Sequence, residues 1–269
     1  MHQLPIVFPN DFVKKSNDFI RSKLTIKDTL AGRMLAIAAS VIQTGDVDFY
    51  AYKISTDAFF INDRNKGGSQ YEQIKKATDD LAQANMFKKT GKNSFVRYPI
   101  FYKIAYESGF IEITFHPEAK PFFLDLKEHF TKYNLIEFLM LRSVYSQRLF
   151  EVLKSWESIS EVSIQLHDLQ NTLNATDSLR KNFAHFSRRV LEPAHKEIHE
   201  KTSLDYDWET IKTKNKVTAI KFIFYKKNQN SNKKIKMLTD KFIAEQARPG
   251  ETWEEARNRL SNRNNKLTK

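Results

Sequence analysis

One stretch of this chain carries side chains of the types and spacing needed to read a polyanion. From Leu179 onward, at about 100° per residue, Lys181, His185, Arg188, Arg189 and Lys196 fall on one side of a helix. Phe183, Phe186, Val190 and Ala194 fall roughly opposite. An arginine can donate two parallel hydrogen bonds to the edge of guanine, and an amide such as Asn182 can pair with adenine. Three more cations, Lys212, Lys214 and Lys216, alternate in KTKNK between two strand-like segments. Flexible ammonium groups at a hairpin tip suit phosphates, which fix position but carry no sequence information. The candidate DNA-binding residues are thus Arg180, Lys181, Asn182, His185, Arg188, Arg189, Lys212, Lys214 and Lys216. A solvated helix face and a solubilising lysine run are the competing readings.

Enzymatic chemistry finds little support. His195-Lys-Glu-Ile-His199 has the spacing of a zinc helix, but Lys196 stands where a zincin needs its glutamate. Gly91-Lys92 is no phosphate loop, because position 86 is Met and Asn93 follows the lysine. No His-hydrophobe-His pair is present to anchor the metal of a nicking enzyme, and there is no cysteine. Asp79 and Asp80 point to different sides of a helix. The expectation is a non-enzyme with no catalytic residue, metal or cofactor; a nuclease or nicking protein is the remote alternative.

The charge is concentrated rather than spread. The 269 residues carry a formal +12, yet residues 1–211 hold 28 basic and 27 acidic side chains. Residues 212–241 hold ten lysines and the single acid Asp240. Part of that block is the strand-like VTAIKFIFY at 217–225, so its lysines are expected on folded structure as well as on a tail. The longest apolar run, Met34 to Ile42, is nine residues, against about 20 for a membrane span. No membrane partner is expected, nor is a signal peptide evident. The chain reads as a cytoplasmic protein.

The elements that would position these residues come in a repeated order. Thr25-x-x-Asp28 reads as a capping box for a helix with Leu30, Met34, Ile37 and Val41 inward, ending near Thr44-Gly45. A strand at Tyr52–Ser55 and a helical segment around Asp57–Ile61 follow. The loop NDRNKGG leads to a second box, Ser69-x-x-Glu72, and a helix with Ile74, Thr78 and Leu81 inward. FVRYPIFYKIA and FIEITF then form a hairpin about Glu107-Ser108-Gly109. The second half runs through one helix from about Asn134 to Trp156, with Phe138, Leu141, Tyr145, Leu149, Val152 and Trp156 on one face. After it come a strand at Val162–Ile164, a helix at Leu166–Leu173, the helix from Leu179, and a hairpin of LDYDWETI with VTAIKFIFY. Pro193 is expected to kink or interrupt the helix from Leu179. Helix, strand, helix, helix, hairpin is the order of a winged helix, and a near-constant offset of about 110 residues implies duplication of one unit. The fold class expected is α+β, two tandem winged-helix domains.

The residues themselves resemble those of iteron-binding plasmid replication initiators. FTKYNLIEFLMLRSVYSQRLFEVLKSW (130–156) resembles that family's segment between the two domains. FSRRVLEPAHKEIHEKTSLDYDWETIKTKNKVTAIKF (186–222) resembles its second reading helix and wing. VKKSNDFI (13–20), GFIEITFHPEAKPFFLDLK (109–127) and ARPGETWEEARNRL (247–260) match in the same order. His199 departs from the asparagine that relatives often carry.

The resemblance implies a domain at 1–127 for dimerisation and accessory DNA contacts, and a main DNA reader at 128–227. A basic linker and short helical tail would occupy 228–269. It further implies monomers binding iteron repeats at an origin and opening A·T-rich DNA, and dimers binding an inverted-repeat operator to repress their own gene. A host initiator ATPase and the replicative helicase would be partners, in a bacterial cytoplasm. A dedicated winged-helix repressor satisfies the same physics. Between the two domains, the helix at 70–85 has a net charge of −1 and the stretch 180–196 a net of +4, so the second should dominate phosphate contacts. Lys88, Lys89, Lys92 and Arg97 are the accessory candidates in the first.

A measurable consequence is steep salt dependence. With about 6–10 phosphates neutralised, the affinity for duplex DNA should fall nearly tenfold per tenfold rise in salt for each contact. Titrations at several salt concentrations should give that slope, and a slope of one or two contacts would point to a different partner.

Overall fold

The computed structural model describes residues 11–43, 45–60 and 69–225, together with Thr252 and Glu255. The first half opens with β1 (Phe12–Ser16), α1 (Asn17–Arg21), β2 (Lys23–Leu24) and α2 (Thr29–Ser40). Next come β3 (Tyr52–Ser55), a 3-10 turn (Thr56–Ala58) and α3 (Gln70–Ala82). Four strands follow: β4 (Asn85–Lys89), β5 (Phe95–Pro99), β6 (Phe101–Glu107) and β7 (Phe110–Phe115). A short α4 (Lys120–Phe123) closes the half. The second half runs β8 (Phe130–Asn134), α5 (Leu135–Leu139), α6 (Val144–Lys154), β9 (Glu161–Gln165) and α7 (Leu166–Thr172). Then come α8 (Asp177–Lys181), α9 (Phe183–Phe186), a π-helical turn (Ser187–Leu191), α10 (Glu192–Lys201), β10 (Tyr206–Thr213) and β11 (Lys216–Phe224).

These elements form two winged helices. In each, the strand after the first core helix joins the closing hairpin in a three-stranded antiparallel sheet, ordered β3-β7-β6 in one half and β10-β11-β9 in the other. The equivalent strands open at Tyr52 and Glu161, 109 residues apart, and both wings turn in two residues at positive φ. These are Ser108 and Gly109 in the first wing (48° and 82°) and Lys214 and Asn215 in the second (49° and 64°). Two positive φ angles mark the primed turn whose twist matches a hairpin, and Gly and Asn are the residues that adopt it with least strain.

Several boundaries differ from the sequence expectation. Asp28, not Thr25, caps α2, accepting from the amides of Leu30 (2.8 Å) and Ala31 (3.3 Å). Thr25 instead accepts from the amide of Asn85 (2.9 Å), tying β2 to β4. Ser69 does precede α3, but its side chain makes no cap bond, and Ala77 rather than Thr78 is buried there. α2 is not amphipathic: every residue from Ala31 to Ser40 is buried, because α3, α5, α6 and β1 pack around it. The single helix expected over 134–156 is two, broken at Met140–Ser143, with β8 taking 130–134; Asn134 and Ser143 each cap a new start. FVRYPIFYKIA likewise splits at the buried Ile100, its two parts joining different sheets. β5 pairs with β4, and β2 completes a third sheet, β2-β4-β5, outside the winged-helix plan. NDRNKGG lies outside the described residues, as does most of the tail. Within the tail, Thr252 and Glu255 make the reciprocal bonds of a capping box.

The halves are joined by a pair of strands related by local two-fold symmetry. β1 and β8 run antiparallel, with Phe12 opposite Asn134 and Ser16 opposite Phe130. Each strand leads straight into a five-residue helix, α1 or α5. Behind this pair lies a buried charge cluster. Glu151 on α6 accepts from Lys15 of β1 (2.7 Å) and from the Tyr133 hydroxyl of β8 (2.6 Å) through one oxygen. Arg148 donates to its other oxygen (2.7 Å). The same guanidinium reaches back to the carbonyls of Ile20 (2.8 Å) and Ser22 (3.0 Å). Nearby, α2 and α6 cross at Gly32, where a Cβ would lie 2.3 Å from the Gln147 amide oxygen. Arg21 stacks on Trp156 at 3.3 Å and bonds the Ser155 carbonyl at 2.7 Å.

Burial opposes ionisation of Glu151, but Lys15 and Arg148 outweigh it and hold its carboxyl below the ordinary glutamate range. A carboxyl depressed on folding stabilises the fold above its unfolded pKa, and that contribution is lost as pH falls through the folded value. Glu151→Gln should therefore cost about 3–5 kcal/mol at pH 7, because two buried cations lose their counter-charge. Urea unfolding of both proteins at pH 7 and at pH 3 checks this; the gap between them should narrow in acid.

Candidate nucleic-acid interface

The segment that carries the candidate contacts in the second half is built in three pieces with separate causes. Leu179 is buried and anchors α8, and Asn174 turns the chain at φ 51° before it. Arg180, among the candidate contacts, is directed inward. Its Nε donates to the Ala175 carbonyl (2.7 Å), one terminal nitrogen to the Asn171 side-chain oxygen and the other to the Gln170 carbonyl (3.2 Å). It holds the turn between α7 and α8. At Asn182 the helix breaks (φ −136°, ψ 112°) and restarts, with the Asn182 side chain accepting from the His185 amide at 3.2 Å. Asn182 is exposed, but its oxygen serves as a helix cap.

From Phe183 the helix continues without a break to Lys201, passing through the π turn at Ser187–Leu191. The expected interruption at Pro193 is absorbed there. Proline lacks the N–H that would bond four residues back, and its ring crowds that carbonyl. A wider turn just ahead of it shifts the bonding register, in the manner of π-bulges. The Ser187 hydroxyl clasps the turn by donating to Glu192 (2.8 Å). Phe186, Val190, Leu191, Ala194 and Ile198 are buried. Lys181, His185, Arg188, Arg189 and Lys196 are exposed, as the helical geometry of the sequence expects.

The wing presents Lys212, Lys214 and Lys216 in the open. Ladder irregularity between Ile211 and Lys212 sets the tip off from the rest of the hairpin. Lys221, deeper in the sheet, is neutralised by Glu161 (2.8 Å) and Glu209 (3.6 Å), and its bond to Glu161 raises its pKa. Among the described residues, Lys181, His185, Arg188, Arg189, Lys212, Lys214 and Lys216 make no ion pair. The second winged helix thus presents exposed cations, unpaired among the described residues, on its helix and on its hairpin tip, a pattern suited to a groove edged by phosphates.

The first half offers a different surface. Exposed positions of α3 include Glu72 and Asp79 beside Lys75 and Lys76. Asp80 is committed to the amides of Lys27 (2.8 Å) and Asp28 (2.9 Å). Of the accessory candidates, Lys88 pairs with Asp18, while Lys89, Lys92 and Arg97 remain exposed. The two histidines of the would-be zinc helix differ: the half-buried His195 has Nε2 3.0 Å from the Tyr206 carbonyl, and the exposed His199 lies 3.7 Å from Asp205. Among the described residues, no group of three or more His, Cys, Asp or Glu side chains could hold a metal ion. No helix among them is long and apolar enough to cross a membrane.

The β2-β4-β5 sheet has no counterpart in the sequence expectation; it places Lys23 opposite Phe87 and Phe87 opposite Arg97. Lys23 lies close enough to Arg180 of the second half that burial and the charges of Arg180 and Arg97 depress its pKa. The alternation Phe87-x-Lys89 against Phe95-x-Arg97 was the available signal.

A family model described as Initiator Replication protein, WH1, matches residues 12–154, and one described as Initiator Rep protein, WH2, matches residues 165–224. No curated protein matches the chain. Among solved structures, selenomethionine derivatives of domain 2 and domain 3 of RctB are similar at 11% sequence identity and a TM-score of 0.44. That likeness covers 84% of this chain and 95% of that one.

Exposed cations on the helix and on the wing tip can be tested for separate roles. Arg188→Ala should weaken binding to a preferred duplex by about 1–3 kcal/mol and change binding to scrambled duplex much less. Alanine at Lys212, Lys214 and Lys216 together should weaken both and reduce the salt slope by up to about three. Competition titrations with the two duplexes at two salt concentrations distinguish these outcomes.

Proposed function

Because this chain belongs to the initiator replication protein family, its two winged helices matched over most of their length, we propose that it starts replication by binding repeated sites. The sites are iterons at a plasmid origin, and α9 with the turn after it enters the major groove at each. The wing lysines grip the flanking phosphates. The observation that carries this reading is the cluster of exposed cations on the second winged helix that have no carboxylate partner among the described residues, against a first α3 whose charges are mixed. The first winged helix then serves accessory DNA contacts and self-association. The monomer binds iterons and helps open neighbouring A·T-rich DNA. The dimer binds an inverted repeat and represses the chain's own gene. The protein carries out no bond-making step; it deforms DNA and recruits a host initiator ATPase and the replicative helicase. In this role Arg180 and Asn182 shape the reading element, and Lys181, His185, Arg188 and Arg189 meet the DNA.

Footprinting on the DNA beside the chain's own gene tests the proposal, together with a plasmid-maintenance assay in which the protein is supplied in trans. Protection of tandem direct repeats that are also needed for maintenance is the expected result. Protection of an inverted repeat alone, with maintenance unaffected by loss of the protein, would make it a dedicated repressor.

A further inference from the structure

The β2-β4-β5 sheet has no place in either winged helix, and its two faces differ sharply. Leu24, Met86 and Tyr98 lie side by side on the inner face, with Leu24 and Met86 buried and Tyr98 against Phe122 at 5.1 Å. Their neighbours along each strand therefore point outward: Lys23, Phe87 and Arg97 in one row, Lys89 and Phe95 in the next. Phe95 is 57% exposed beside the hairpin tip. The Phe87 and Phe95 rings lie 5.2 Å apart, with the Arg97 guanidinium 5.4 and 5.6 Å from them. The tip is held in shape by bonds from the amides of Thr90 (3.0 Å) and Gly91 (3.3 Å) to the Ser94 carbonyl.

We propose that this outward face is a second contact with the duplex read by α9, in which Lys23, Lys89 and Arg97 take backbone phosphates and the Phe95 ring wedges against a base step and bends the DNA. The inference rests on the DNA-binding reading above. Charge complementarity selects the occupant. The outward positions of the three strands carry three cations and no acid, and Asp177 of the second half is the one carboxylate that acts on Lys23, so a second copy docked about a two-fold axis would set an excess of like charge against like. A polyanion relieves that crowding. Continuity selects duplex DNA: Lys23 shares its surroundings with Arg180, next to the start of the reading element. An exposed phenylalanine flanked by cations at a hairpin end matches the apolar wedges that unstack and kink duplexes.

The test uses the full chain and a 60-base-pair duplex selected by the protein from a random pool, labelled at both ends for energy transfer. The wild type should shorten the end-to-end distance. Phe95→Ala should lose at least half of that shortening with an affinity loss of no more than about tenfold, and Phe95→Trp should keep it. Lys89→Gln with Arg97→Gln should lower the salt slope by about two. An unchanged bend in Phe95→Ala overturns the proposal. So does a Phe95→Ala variant whose sedimentation shifts toward monomer at an unchanged bend, which would make the face an interface between copies. A loss confined to single-stranded oligonucleotide binding overturns it as well. Arg188→Ala is run alongside: if it loses affinity for the selected duplex while Phe95→Ala bends normally, the hairpin proposal alone fails. If the wild type selects no duplex at all, both readings fail.

Discussion

The buried carboxylate of Glu151 is the point on which the arrangement of the two halves turns. It sits on α6, the first core helix of the second winged helix, and its partners include Lys15 from the opening strand of the first. A charge removed from water is tolerated only when it is paired and its remaining lone pairs are bonded. Lys15, Arg148 and Tyr133 meet both conditions at once. Each can do so only if β1 lies against β8 and α1 lies against α6. Misplacing one half by a single strand residue would strand at least one buried ion. The cluster therefore acts more on specificity of docking than on net stability, since an apolar replacement of equal volume could hold the halves together without choosing a register.

That fixed docking has consequences at the surface. It brings Lys23 of β2 beside Arg180 at the beginning of the reading element, 157 positions later in the chain. It also packs elements around α2, which explains why this helix is buried from Ala31 to Ser40, Arg33 included, and accommodates a glycine at its crossing with α6. The two winged helices share a plan, yet their exposed surfaces diverge. The second leaves cations unneutralised on its helix and wing. The first binds Asp80 into its own backbone, mixes charge along α3, and adds an extra hairpin. Duplication supplied the scaffold; side chains at exposed positions, free of packing constraint, differentiate the copies.

Within the reading element, local backbone chemistry decides which side chains reach outward. Asn182 ends one helix and caps the next, and the π turn ahead of Pro193 keeps Phe186 and Val190 in the core while Arg188 and Arg189 stay in solvent. An α-helical continuation with the proline in place would have left the carbonyl four residues earlier without its bond. The Ser187–Glu192 hydrogen bond spans the same turn.

Much of this was legible in the residues. The order of elements, the duplication, the strand at Tyr52–Ser55, and the division of the helix after Leu179 into a buried apolar side and an exposed basic side all follow from periodicity and charge. These properties are local: a side chain's polarity and its spacing along a helix or strand decide its face wherever that element ends up. What the sequence could not determine depends on contacts between distant segments. Periodicity cannot distinguish α5 and α6 from one long helix, because the break at Met140–Ser143 keeps apolar residues in phase. Nor does residue type or position show that the Arg180 guanidinium bonds the carbonyls at 170 and 175, or that the Asn182 oxygen caps the restart of α9. The buried cluster of Lys15, Tyr133, Arg148 and Glu151 is invisible in one dimension, since each is an ordinary polar residue until tertiary packing removes the water. Only the folded chain decides which charges find partners inside it and which remain for something else to neutralise.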